Sequence, residues 1–187
     1  MTGGRSARLR PALDQIDALL ARGDVAAAET LARRAVAENP LAAEAQFMLG
    51  IAIQSQGRFE QAEPHFARAV TLDPRNVGHL LNYGLCLLSM GRVKEAAAQY
   101  RKARSVAPSS VDAIWRNGSY FARIGHMEQA LKLLEQALPR ASDNAKHAIR
   151  LEILDCLLSL GRVAEAEAHI ARHIGSTPFH ARYLCLL

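Results

Sequence analysis

Apolar residues in this chain do not alternate with polar ones over the stretches a half-buried strand requires, and Val and Ile never cluster. They recur at helical spacing instead. Phe66, Tyr100 and Leu134 each follow an alanine, Ala62, Ala96 and Ala130, by four residues. That step places both members on one helical face. Ala and Leu dominate the apolar set, and Ala, Leu, Arg, Glu and Gln lose little freedom on entering a helix. The pattern predicts an all-α chain.

The helices come in a repeating order. Gly23, Gly57, Gly91 and Gly125 recur every 34 residues, and Gly161 follows after 36. Ala28, Ala62, Ala96, Ala130 and Ala166 keep the same steps, and Pro40, Pro74 and Pro108 do so until Pro178 resumes the series. Glycine closes a helix where a left-handed residue is needed, so these glycines mark the turn inside a helix pair. Proline cannot continue a helix and restricts the residue before it, so the prolines end the second helix. The alanines lie five residues beyond each turn, where a small side chain lets paired helices approach. Gly50, Gly84 and Gly118 recur inside the first helices. A mid-helix glycine costs about 1 kcal/mol against alanine, so three at one register predict close helix crossings.

Aligned, "MLGIAIQSQGRFEQAEPHFARAVTLDP" and "NYGLCLLSMGRVKEAAAQYRKARSVAP" share these positions throughout. The unit resembles the tetratricopeptide repeat, a helix–turn–helix of 34 residues. The resemblance implies a right-handed α-solenoid of five helix hairpins plus the start of a sixth. Its repeats are expected at 9–42, 43–76, 77–110, 111–146 and 147–180, with 1–8 as a flexible N-terminal tail. The outer repeats are atypical, as stacked arrays allow: Ile16 and Leu154 replace the small eighth residue, and His173 replaces an alanine. Ser142 stands where proline is expected, and the two extra residues around "ASDNAK" are expected to lengthen the connection into the fifth repeat. In the final "ARYLCLL", Leu184 and Leu187 take packing positions of a further first helix at 181–187, which reads as a truncated one and so as a fragment of a longer protein. If it is a true end, these leucines are expected to dock on a partner.

Charge adds little to this picture. The net charge is +5, with 19 Arg and 4 Lys, but the basic residues are scattered and the densest run is "RSARLR" at Arg5–Arg10. A solvated helical surface is expected, with no nucleic acid as partner. No run approaches the ~20 apolar residues of a membrane span, and no leader pattern is present, so no membrane association and a cytoplasmic location are expected. Cys86, Cys156 and Cys185 are far apart and read as structural thiols. His169 and His173 are spaced four apart but lack a zinc-protease glutamate, and no metal is assigned to them. Pro64 falls inside a second helix, and Asn117 falls where an apolar residue would pack and so needs a buried partner. No phosphate loop and no nucleophile–base set can be assembled, so the chain is read as non-enzymatic and without cofactor.

In the family it resembles, the concave face is lined by first-helix positions two, five, nine, twelve and thirteen. Carried onto this sequence, these give Glu44, Phe47, Ile51, Gln54 and Ser55, then Gly78, Leu81, Leu85, Leu88 and Ser89, then Asp112, Trp115, Ser119, Ala122 and Arg123. The family's clamp for acidic C-terminal tails finds matches at Asn82 and Arg116 but not at Phe47, Ile51 or Asp112. An asparagine ladder fails at Asp14, Met48, Arg116 and Glu152, and an RNA-reading series fails at Leu13, Phe47, Leu81, Trp115 and Leu151. What remains is an apolar stripe, Phe47, Ile51, Leu81, Leu85, Leu88 and Trp115, bordered by charge. It reads equally as a groove or as core between neighbouring first helices. As a groove it implies a protein-interaction scaffold that binds an apolar or amphipathic segment of a protein or peptide, with Trp115 as anchor and Asp112, Arg116 and Arg123 setting register. An alternative is the N-terminal recruiting arm of a bacterial transferase of the tetratricopeptide–sulfotransferase kind, with its catalytic domain beyond residue 187. A third reading is self-association through the open C-terminal face.

Overall fold

A computed structural model describes residues 3–173. The helices are α1 (Gly3–Ala21), α2 (Val25–Glu38), α3 (Ala43–Gln54), α4 (Phe59–Leu72) and α5 (Val77–Ser89). They continue with α6 (Val93–Val106), α7 (Val111–Arg123), α8 (Met127–Ala137), a 3-10 turn (Leu138–Arg140), α9 (Asp143–Ser159) and α10 (Val163–His173). No strand occurs among the described residues, and the chain is all-α, of the helix-hairpin solenoid class. The expected sixth first helix, with Leu184 and Leu187, lies outside the described residues, as do Pro178 and Cys185.

Two compact bodies divide the chain, one ending at Val106 and the other beginning at Ala107. The first stacks the hairpins α1/α2, α3/α4 and α5/α6; the second stacks α7/α8 and α9/α10. The core of the first body runs through Ile16, Ala32, Leu49, Ile53, Phe66 and Cys86. That of the second runs through Ile114, Leu134, Ile149, Ile153, Leu154 and Ile170. All five hairpin turns contain a glycine with φ between 70° and 81°, the left-handed region that only glycine enters without strain.

The mid-helix glycines mark close crossings. A Cβ on Gly50 would stand 2.9 Å from Cε1 of Phe66, one on Gly84 would stand 2.5 Å from Cε1 of Tyr100, and one on Gly118 would stand 3.0 Å from Cδ2 of Leu134. The bulky residue that follows each second-helix alanine therefore fills the space its own first-helix glycine leaves open. Phe66, Tyr100 and Leu134 are buried accordingly. Helix starts are fixed by side chains at Asn76, which accepts from the His79 amide at 3.1 Å, and at Ser110, which accepts from the Ala113 amide at 3.3 Å. Buried Asn117 donates to the Ala113 carbonyl at 2.7 Å, the partner its burial demands. Pro64 lies inside α4, whose helix continues through it.

Two local features stand out against the other repeats. Near "ASDNAK" five residues, 138–142, separate α8 from α9 and include the 3-10 turn, against four at 39–42, 73–76 and 107–110, and α9 itself runs to 17 residues from Asp143. Lys146 pairs with Asp143 at 2.9 Å across its first turn. At the other end, α1 begins at Gly3, within the stretch 1–8 set aside as a tail. Arg5, Ala7 and Arg8 favour helix there despite Gly3 and Gly4, and Pro11 is carried inside the helix.

Each hairpin stack is also tied by arginine. Arg58, Arg92 and Arg162 directly follow the turn glycines Gly57, Gly91 and Gly161. Each reaches a carboxylate on the second helix of the preceding repeat. The distances are 2.8 Å for Arg58–Glu29, 3.2 Å for Arg92–Glu63 and 3.5 Å for Arg162–Glu128. Each also bonds forward to the residue three further on, Gln61, Glu95 or Glu165.

Candidate functional site

The residues singled out for the groove lie on first helices: Glu44, Phe47 and Ile51 on α3 and Leu81, Asn82, Leu85 and Leu88 on α5 in the first body, and Asp112, Trp115, Arg116, Ser119 and Arg123 on α7 in the second.

Leu81 and Leu88 are buried, at 8% and 4% exposure, and belong to core packing. Phe47, Ile51 and Leu85 remain partly exposed. Phe47 lies against the Phe66 ring (centroids 5.9 Å apart) and stacks on His79 (4.6 Å). The ring is thus held by aromatic contact while the residue stays partly exposed. Asn82 is committed locally, its amide donating to the Gly78 carbonyl at 2.9 Å.

Glu44 meets His79, with Oε2 lying 3.1 Å from Nε2. The imidazole is buried at 2% exposure while the carboxylate is 43% exposed. The pair therefore ties α3 to α5 and turns a half-exposed carboxylate toward the face that holds Phe47. Nδ1 of His79 has no hydrogen-bond partner among the described residues.

In the second body Trp115 is partly buried against the core. Its indole N–H donates to Glu152 Oε1 at 2.9 Å, and Ser119 Oγ–H donates to the other carboxylate oxygen at 2.6 Å. The Arg116 guanidinium sits 4.7 Å from the Trp115 ring centroid, a cation–π contact. Two of the selected residues thus bond Glu152 of α9, and a third, Arg116, rests on the Trp115 ring. Asp112 and Arg123 are exposed at the two ends of α7.

Sequence reasoning named the register but missed the partners. His79 and Glu152 hold two of the selected positions in place, and both were legible only as the polar residues nearest to one repeat away from Glu44 and Trp115. The first repeat's own face was also passed over. There Leu13, Asp14 and Asp17 of α1 join Glu44 and Met48 of α3 around one cavity.

No chemistry-bearing cluster accompanies these faces. No group of three or more His, Cys, Asp or Glu side chains among the described residues is placed to hold a metal. His169 instead bonds the Arg150 carbonyl at 3.2 Å, an interhelical role. Cys86 and Cys156 are buried, and burial pushes each thiol up to about 11. No helix of the described residues is long and apolar enough to cross a membrane.

Models of the tetratricopeptide repeat match residues 13–74, 54–113 and 123–187. No curated protein matches the chain. Among solved structures, Pseudomonas aeruginosa pilF superposes with a TM-score of 0.81 at 22% identity, over 93% of this chain and 78% of that one. TTC0263, a thermophilic protein of the same repeat class from Thermus thermophilus, gives 0.77 at 26% identity, over 96% and 100%. MamA from Desulfovibrio magneticus RS-1 gives 0.75 at 17% identity, over 92% and 94%.

Proposed function

The chain belongs to the tetratricopeptide repeat family, and on that premise we propose that it is a protein-interaction scaffold whose first-helix faces receive an apolar or amphipathic segment of a partner protein. The observation that carries this reading is the state of Phe47, Ile51 and Leu85. Ordinary core residues of this body are fully covered, whereas these three keep exposed edges on neighbouring first helices. Phe47 is held rigid by Phe66 and His79, so docking on it costs little ordering entropy. Fully covering such a side chain contributes about 1.5–3 kcal/mol, so three together supply the affinity of a short segment.

On the second body, Trp115 offers an anchor of the same kind. Glu152 and Arg116 fix its orientation, and Asp112 and Arg123 flank it with opposite charge. Charged residues at such margins select partners and their direction more than they add affinity.

A selection of random dodecapeptides displayed on phage against the immobilised protein tests this reading. Peptides are expected to emerge with apolar residues at helical or alternating spacing. Phe47→Ala and Leu85→Ala are each expected to weaken them by roughly tenfold or more, with the helical circular dichroism retained. Peptides that bind both variants as they bind the parent protein would count against these faces as the site.

A further inference from the structure

A cavity of about 340 Å³ opens between α1 and α3. Its floor is apolar: Leu9 and Leu13 stand four apart on α1, and Met48 faces them from α3. Its rim is acidic. Asp14 and Asp17 of α1 and Glu44 of α3 line it, with Arg10 as the cation among the lining residues. Among the described lining residues three carboxylates therefore meet one guanidinium, in a chain whose overall charge is +5.

These carboxylates differ from others on the same body. Glu29, Glu63 and Glu95 are each paired with arginine. Asp14 and Asp17 are exposed and have no hydrogen-bond or ion-pair partner among the described residues. They also stand three apart on one helix, a spacing at which like charges repel by a few tenths of a kcal/mol. Glu44 commits one oxygen to His79 and its side chain stays 43% exposed. An apolar wall beside such a set focuses its potential, which attracts cations and repels phosphates.

We propose that this cavity receives a lysine or arginine of an amphipathic protein segment. Its cation lies among Asp14, Asp17 and Glu44, and a neighbouring apolar side chain rests on Leu13 and Met48. The inference rests on the scaffold reading above and names the chemistry of the partner: basic and apolar residues side by side. The same carboxylates disfavour an anionic group at this cavity.

The dodecapeptide selection tests this together with the double variant Asp14→Asn/Asp17→Asn. Both residues are exposed, so the variant is expected to melt like the parent. The selected peptides should be enriched in Lys or Arg beside Leu, Met or Phe. Their affinity, read by fluorescence anisotropy, should fall with rising NaCl and drop roughly tenfold for the double variant. Peptides that depend on Phe47 but show no basic enrichment and bind the double variant equally would overturn this inference and leave the scaffold reading standing. Failure to recover any Phe47-dependent peptide would overturn both. A dimer in sedimentation that dissociates in the double variant would make the occupant a second copy of this chain, and would likewise overturn the inference.

Discussion

Gly84 shows how a single missing methyl group sets the spacing of a hairpin. Placing a Cβ there brings it to 2.5 Å from the buried Tyr100 ring, which is walled in and cannot retreat. Overpacking of this kind costs about 1–3 kcal/mol, against a helix-propensity gain of about 1. Gly84→Ala is therefore expected to lose up to about 2 kcal/mol of stability in urea unfolding. Gly118→Ala meets Leu134 Cδ2 and Cγ at 3.0 Å and Leu133 Cβ at 3.4 Å, a looser approach than at Gly84, and propensity should offset the contact to within about 0.5 kcal/mol. Tyr100→Leu should recover part of the Gly84→Ala loss, which a double-mutant cycle would read as coupling. At the same scale, Cys86 and Cys156 are raised to about 11 by burial, so few thiolates exist near neutrality. Mass mapping after brief alkylation at pH 8 should find both unmodified in the folded protein and labelled in urea.

At the scale of elements, the arginines after the turns join one hairpin to the next. Glu29 receives Gln56, Arg33 and Arg58, and these hydrogen bonds, that from Gln56 foremost, hold its carboxyl down at about 2. A folded value below the unfolded one stabilises the fold above the unfolded pKa of about 4.5, and the contribution is lost as pH falls toward about 2. Glu29→Gln should therefore lower the melting temperature at pH 7 and differ progressively less from the parent between pH 4.5 and pH 2. The arginine partners, Arg33 and Arg58, reach solvent although Glu29 is largely covered, so screening should hold the effect to about 1 kcal/mol. Arg92→Ala should act in the same direction, by less than Gly84→Ala, and its effect should shrink in high salt. Most of this scale was legible in the sequence, because glycine, alanine and proline each mark a backbone event that no other residue performs as cheaply. The start of α9 was not, since Ser142 is as good a helix cap as a loop residue and only tertiary packing decides between them. The bonds from Glu44 to His79 and from Trp115 to Glu152 were also hidden, because a 34-residue period fixes which helices neighbour each other but not which polar side chains meet.

For the whole molecule, the repeat period alone carries the family and the all-α class, and the first-helix register carries the location of the candidate site. The division of that register into core and face needed the structure: Leu81 and Leu88 turned inward, while Phe47, Ile51 and Leu85 kept an exposed edge. The acidic cavity at α1 and α3 was equally out of reach, since the chain's average charge has the opposite sign. The central claim is that ligands are taken on the first-helix faces. Hydrogen–deuterium exchange of the protein with and without a selected peptide tests it most directly. Peptide binding is predicted to slow exchange in 43–54 and 77–89, the helices that present Phe47, Ile51 and Leu85, and to leave 59–72 and 93–106 unchanged. Protection confined to those second helices, with the first helices unaffected, would contradict the account.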